Sequence, residues 1–193
     1  MKNLAVFISG SGSNLQSIID KWKTEIVSYD IKLVFSNTND AFGLTRAENE
    51  QIPTKVLSHN NFASREEYDR SIDQIMQDFQ IEYIALAGFM RLLSPWFVKK
   101  WSGRLMNIHP SLLPAFPGLR THQQALEYGV KFAGCSVFFV DKGIDTGSII
   151  SQAVVPVSNG DTEDTLANRV LKEEHKIFPQ AIEDVAGGKI SLN

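Results

Sequence analysis

The chain has 193 residues, 43% of them hydrophobic and 21% charged, a composition that excludes intrinsic disorder and fibrous repeats and suits one globular domain. Nineteen Lys and Arg against 22 Asp and Glu leave a formal charge of -3, without the basic field that a nucleic-acid surface needs, so no tRNA or DNA partner is expected. No apolar run reaches the ~20 residues that span a bilayer, which argues against a membrane protein and for the cytosol. The single cysteine, Cys135, excludes an internal disulfide, and no Cys or His spacing matches a structural zinc site.

In chain order, the first element is a continuous apolar run over 4–8, β-branched and aromatic, the pattern of a strand buried on both faces and central in a parallel sheet. Similar runs recur at 31–35, 55–57, 83–87, 104–108, 135–140 and 149–155. Between them, apolar residues at three-to-four spacing predict helices over 14–22, 44–50, 65–79, 121–128 and 163–185, with Pro179 interrupting the last. No repeat, low-complexity tract or linker divides the chain, so residues 1–193 are expected to form a single domain. Strand and helix in alternation predict an α/β fold, a mostly parallel sheet wound by right-handed crossovers with helices on both faces. Ligands on such sheets bind beyond the carboxyl ends of the strands. The loops 9–14, 88–95 and 107–118 lie at such ends, and the loop 141–147 is expected at the same edge.

Ser9, Gly10, Ser11, Gly12, Ser13, Asn14 and Leu15 follow the first strand and open a helix. Backbone N–H groups and the helix dipole can face an anion there. A dinucleotide fingerprint needs glycine at position 15, which is Leu15, and no lysine completes a Walker pattern. What remains suits one phosphate monoester, with Ser11, Ser13 and Asn14 as donors. Taken alone, the segment fits a tight turn capped by Asn14 equally well.

Asn107 and His109 lie two apart at the end of the fifth run, so in extended backbone both project to one side and can converge on one atom. His109 can exchange a proton near neutral pH, and the Asn107 amide can donate to an oxygen that becomes negative in a tetrahedral intermediate. Pro110, Pro114, Pro117 and Gly118 stiffen the loop that follows. A carboxylate from 141–147 beside His109 would orient the ring and favour its charged form. Asp145 and Asp141 are the candidates, Asp145 being favoured. An isolated Asn-x-His is more often an ordinary hydrogen-bonded turn, so the pair gains weight only in company.

Cys135 sits inside an apolar strand with no activating base, and no G-x-S-x-G elbow occurs, so covalent catalysis has little support. His59, His109, His122 and His175 form no metal-ligand spacing, and no catalytic metal is expected. Glu173, Glu174 and His175 read as a solvated helix face. Phe89, Met90, Leu92, Leu93, Trp96, Phe97 and Val98 cluster at a strand end, where a flat heteroaromatic ligand can be sandwiched, although core packing accounts for most of them. Arg65 and Arg91 can each fork onto a carboxylate.

Taken together, I-S-G-S-G-S-N-L-Q from Ile8, F-S-N from Phe35, L-A-G-F-M-R-L-L-S-P from Leu86, N-I-H-P-S-L-L-P-A-F-P-G from Asn107 and D-T-G from Asp145 resemble the phosphoribosylglycinamide formyltransferase family. The match runs in order along nearly the whole chain. The resemblance implies a Rossmann-like formyltransferase fold, with 10-formyltetrahydrofolate as co-substrate and glycinamide ribonucleotide as acceptor. The N-terminal half would hold the ribonucleotide phosphate, and the C-terminal half the folate and the catalytic groups. It further implies that Asn107, His109 and Asp145 are catalytic, Asp145 raising the His109 pKa. Gly12, Ser13, Asn14 and Leu15 would hold the phosphate and Glu174 the sugar. Arg65, Met90, Arg91, Leu92, Leu93, Asn107, Val140, Asp141 and Asp145 would line the folate site, with Gly143 making its loop more mobile. Assembly is expected as a monomer or homodimer.

Three rivals are separable. A 10-formyltetrahydrofolate hydrolase carries a regulatory domain and H-H-S-F-L-P at the histidine block. Methionyl-tRNA formyltransferase carries a further C-terminal domain and positive charge. A non-catalytic nucleotide-binding module keeps only the phosphate loop. The histidine block and the chain's length favour the ribonucleotide transferase.

Overall fold

A computed structural model describes residues 1–192. The strands are β1 (Lys2–Ile8), β2 (Tyr29–Ser36), β3 (Thr54–Val56), β4 (Tyr83–Leu86), β5 (Leu105–His109), β6 (Phe132–Phe139) and β7 (Ile149–Pro156). The helices are α1 (Ser13–Thr24), α2 (Phe42–Asn49), α3 (Arg65–Asp78), α4 (Pro95–Lys100), α5 (Thr121–Tyr128) and α6 (Glu163–Ala186), with a short 3-10 turn at His59–Asn61. All seven strands form one sheet in the order β3-β2-β1-β4-β5-β6-β7.

The unbroken apolar character of β1 reflects burial on both faces. Leu4, Val6 and Ile8 enter the core under α1, α2 and α6, while Ala5 and Phe7 enter the core under α3 and α4. Phe7 lies 4.8 Å from Phe35 and 5.3 Å from Phe89, ring centre to ring centre, within the range of favourable aromatic pairs. Strands β3, β2, β1, β4 and β5 run parallel to one another. Because β2 and β4 flank β1, the strand order reverses there, and the crevice outside their carboxyl ends is the ligand position of an open α/β sheet. The 9–14 and 87–94 loops meet at this point.

Three expectations are corrected. Strand β6 runs antiparallel to β5, with Met106 opposite Phe139 and His109 opposite Ser136. The 141–147 loop therefore leaves from beside Leu105, whose carbonyl accepts from the Val140 N–H at 2.9 Å, and not from the carboxyl edge. Pro179 does not interrupt α6, which runs 24 residues through it. An interior proline costs ~3 kcal/mol, but Phe178, Ile182 and Val185 beside it are buried and each contributes roughly 1.5–3 kcal/mol. Helix α4 falls in a stretch read as loop and cluster; Ser94 caps it, accepting from the Phe97 N–H, and Pro95 takes its first position, a favoured helix start.

Candidate active site

The glycine loop is built by backbone proximity. Gly12 has φ 70°, and a Cβ there would lie 2.6 Å from the Gly43 Cα at the start of α2, so only glycine fits. Gly43 N–H in turn donates to the Gly10 carbonyl at 3.1 Å. The first bond inside α1 runs from Gln16 N–H to the Gly12 carbonyl at 2.9 Å, which leaves the N–H groups of Ser13, Asn14 and Leu15 without helical partners, at the positive end of the dipole. Arg46, which the sequence did not single out, donates to the Ser11 carbonyl at 2.8 Å and steadies the loop.

Asn14 is not a cap. Its Nδ2 donates at 2.7 Å to Glu174 of α6, and its Oδ1 is buried without a protein partner. Glu174, expected on a solvated face, is only 7% exposed. Burial pushes its carboxyl up from the ordinary glutamate range, opposed by the Asn14 hydrogen bond and the charge of His109.

The residues expected at the folate site divide. Met90 and Leu92 are 71% and 57% exposed, while Phe89, Phe97 and Val98 belong to the core. Leu93 and Val140, distant in sequence, pack on that same core cluster. Ser9 ties the 9–14 and 87–94 loops together, its hydroxyl donating to Asn37 Oδ1 and accepting from Met90 N–H at 2.8 Å. Arg65 is exposed at the start of α3; the Arg91 guanidinium lies 4.9 Å from the Tyr68 ring centre, and its Nε is buried without a partner. Both act on buried Asp69, whose carboxyl burial pushes up against the hydrogen bonds of Ser94 and the charges of Arg91 and Arg65.

Strand alternation puts Asn107 and His109 on one face of β5, opposite Met106 and Ile108. Asn107 is half-buried. His109 is 6% exposed. Its Nε2 lies 2.9 Å from the Phe116 carbonyl, and its Nδ1 lies 3.4 Å from Asp145 Oδ2. Both partners present oxygens that accept. Of the two carboxylates weighed, Asp145 makes the approach. It is in the left-handed region at φ 54°, and its Oδ2 also accepts from Gly118 N–H at 2.9 Å. Asp141 is turned into its own loop, accepting from Gly143 N–H at 3.0 Å and Thr146 Oγ1 at 2.7 Å. A Cβ at Gly143 would lie 1.9 Å from Thr146 Oγ1, so the glycine allows this close turn. The roles of the Phe116 carbonyl and the Gly118 N–H had no sequence signal, because backbone groups carry none.

Cys135 is fully buried, and burial, aided by the charges of Glu174 and Glu173, pushes its thiol up to about 12, far from the thiolate a nucleophile needs. Two cavities adjoin these loops. One of about 520 Å³ lies along α1 and is lined by Ser13, Gln16, Asp20, Arg46 and His175; one of about 300 Å³ lies behind the 110–116 segment and is lined by Pro110, Ala115, Phe116, His122 and Phe132. Neither is lined by Asn107, His109 or Asp145. The three candidate residues are brought out by their mutual geometry and not by cavity size. Among the described residues no helix is long and apolar enough to cross a membrane.

An open α/β sheet carrying an anion-ready helix start and a histidine–carboxylate pair near its switch point has the build of a small-molecule group-transfer enzyme. The chain belongs to the formyl transferase family, whose model matches residues 2–182. It is similar to the phosphoribosylglycinamide formyltransferase of Escherichia coli, 49% identical over 191 residues covering 99% of this chain and 90% of that protein. It is also similar to the human trifunctional purine biosynthetic protein adenosine-3, 50% identical over 189 residues. That match covers 98% of this chain, which spans only 19% of the length of the human protein. Among solved structures, glycinamide ribonucleotide transformylase 1 from Symbiobacterium toebii superposes with a TM-score of 0.97 at 42% identity, over 100% of this chain and 91% of that one.

Proposed function

We propose that this chain transfers the formyl group of 10-formyltetrahydrofolate to the amine of 5-phosphoribosylglycinamide, giving N-formylglycinamide ribonucleotide and tetrahydrofolate in purine biosynthesis. The observation that supports this most is the approach of Asp145 to His109 on the sheet face that also carries Asn107. The N–H groups of Ser13, Asn14 and Leu15, at the Gly12 turn, receive the phosphate. Glu174 and the unpartnered Asn14 Oδ1 take sugar hydroxyls. Arg65 and Arg91 pair with folate carboxylates, while Met90, Leu92, Leu93 and Val140 pack against its ring and the Asp141 turn closes beside it.

The chemistry is direct attack. The neutral amine adds to the formyl carbon, and the oxygen that becomes negative is held by the Asn107 amide and by His109. His109 Nε2 is the nitrogen that turns to this oxygen, exchanging the Phe116 carbonyl for it, while Asp145 keeps Nδ1. As the tetrahedral species collapses, the bond from the formyl carbon to N10 breaks, and the proton lost by the attacking amine passes to N10 with Asp145 assisting. Every residue named comes from one chain, so a monomer or homodimer of this single domain, in the cytosol, suffices.

The test is incubation of the purified chain with 10-formyltetrahydrofolate, with and without the ribonucleotide, followed by folate absorbance. Consumption that depends on the ribonucleotide is expected. Equal consumption without it would indicate a hydrolase, and no consumption in either case a binding module.

A further inference from the structure

His109, Ser136 and Gln152 form one row across three strands, with His109 opposite Ser136 and Ser136 opposite Gln152. Cross-strand partners share a face of the sheet, so the polar side chains of β6 and β7 stand beside the catalytic ring. Ser136 is fully buried, in a strand whose neighbouring Cys135 and Val137 are core residues. Its Oγ donates to the Ser111 carbonyl at 2.7 Å and accepts from Leu113 N–H at 3.0 Å and from Gln152 Nε2 at 2.8 Å. One donor and two acceptors are the whole capacity of a hydroxyl. Gln152 Nε2 also donates to the Leu113 carbonyl at 3.0 Å. Leu113, which belongs to no strand, thus has both backbone groups held by side chains of β6 and β7.

This segment carries the partners of the catalytic ring. Ser111 N–H donates to the His109 carbonyl at 2.9 Å, and Ser111 Oγ donates to the Ala115 carbonyl at 2.6 Å. The next residue, Phe116, presents its carbonyl to His109 Nε2, and Gly118 presents its N–H to Asp145. We infer that Ser136 and Gln152 are positioning residues for His109, setting the 111–118 backbone so that ring and carboxylate meet in register. This deepens the proposed function and rests on His109 acting in the reaction. A displacement of ~1 Å in a reacting group typically costs ~10²-fold in rate, and a hydroxyl whose removal leaves two buried backbone groups, the Ser111 carbonyl and the Leu113 N–H, without their partner is placed to cause one.

The test uses Ser136→Ala and Gln152→Met in the full chain. Turnover should fall ~100-fold in Ser136→Ala and ~10-fold in Gln152→Met, the scale of such misplacement. KM for the ribonucleotide should stay within about twofold, because the α1 loop is untouched. The 15N resonances of the His109 ring should move in both variants, reporting the altered contact with Phe116. Gln152 is an exposed residue of an edge strand, so its variant carries the test if Ser136→Ala does not fold. Unchanged turnover in folded Gln152→Met, or lower thermal stability with the His109 resonances unmoved, would overturn the inference. If the wild-type chain shows no ribonucleotide-dependent turnover, the functional reading fails separately, and the ring resonances still decide whether these residues position His109.

Discussion

Glu174→Gln separates what the buried carboxylate does for binding from what it costs the fold. The wild-type side chain is 7% exposed and accepts one hydrogen bond, 2.7 Å from Asn14. Burial raises its pKa above the ordinary 4.5, so between that value and its raised native one the folded state holds more proton than the unfolded state, and stability falls as pH rises. Deprotonation places a desolvated charge in the fold, a penalty of several kcal/mol before its contacts offset it. Glutamine keeps the shape and the acceptor, losing ~1 kcal/mol as the Asn14 bond becomes neutral. The variant should melt higher at pH 7.5, by ~2–4 °C per kcal/mol gained, and the gain should vanish near pH 4.5. KM for the ribonucleotide should rise ~10- to 100-fold, the equivalent of losing one hydrogen bond to a charged group at ~1.5–3 kcal/mol. Thermal melts across pH and initial rates measure both. A lower melting temperature at pH 7.5, or an unchanged KM, would refute the reasoning.

Asn107→Ala should lower turnover ~10²- to 10³-fold with little change in melting temperature, as for loss of one oxyanion donor; near-normal rates would remove Asn107 from the chemistry. Gly12→Ala forces a Cβ to 2.6 Å from Gly43 in a left-handed conformation that alone costs ~1–2 kcal/mol, so its melt should fall by at least ~2 °C. A melt within 1 °C of wild type would show that the loop relaxes freely. Cys135, its thiol pushed up to about 12, should resist iodoacetamide at pH 8 in the native chain and react in denaturant, and labelling at the free-thiol rate would contradict its burial.

The sheet was legible where burial has one meaning. The apolar run over 4–8 reads as a central strand because both its faces are covered. The direction of β6 was not legible, since a strand buried on both faces carries the same pattern either way. That misplaced the exit of the 141–147 loop, although Asp145 still reaches His109 by folding back. Pro179 misled because local propensity was outweighed by the packing of Phe178 and Ile182. Glu173, Glu174 and His175 look alike in sequence, and only the position of α1 decides that Glu174 turns inward to Asn14. Ser136 and Gln152 passed unnoticed because their partners are carbonyls and N–H groups of Ser111 and Leu113, which no side-chain motif records.

The most direct measurement follows the formyl carbon. With 13C in the formyl group of 10-formyltetrahydrofolate, the label should appear on the ribonucleotide amine as an N-formyl resonance, and His109→Ala should slow its appearance by orders of magnitude. Label recovered as formate, or transfer at the wild-type rate without the imidazole, would contradict a formyl transfer centred on His109.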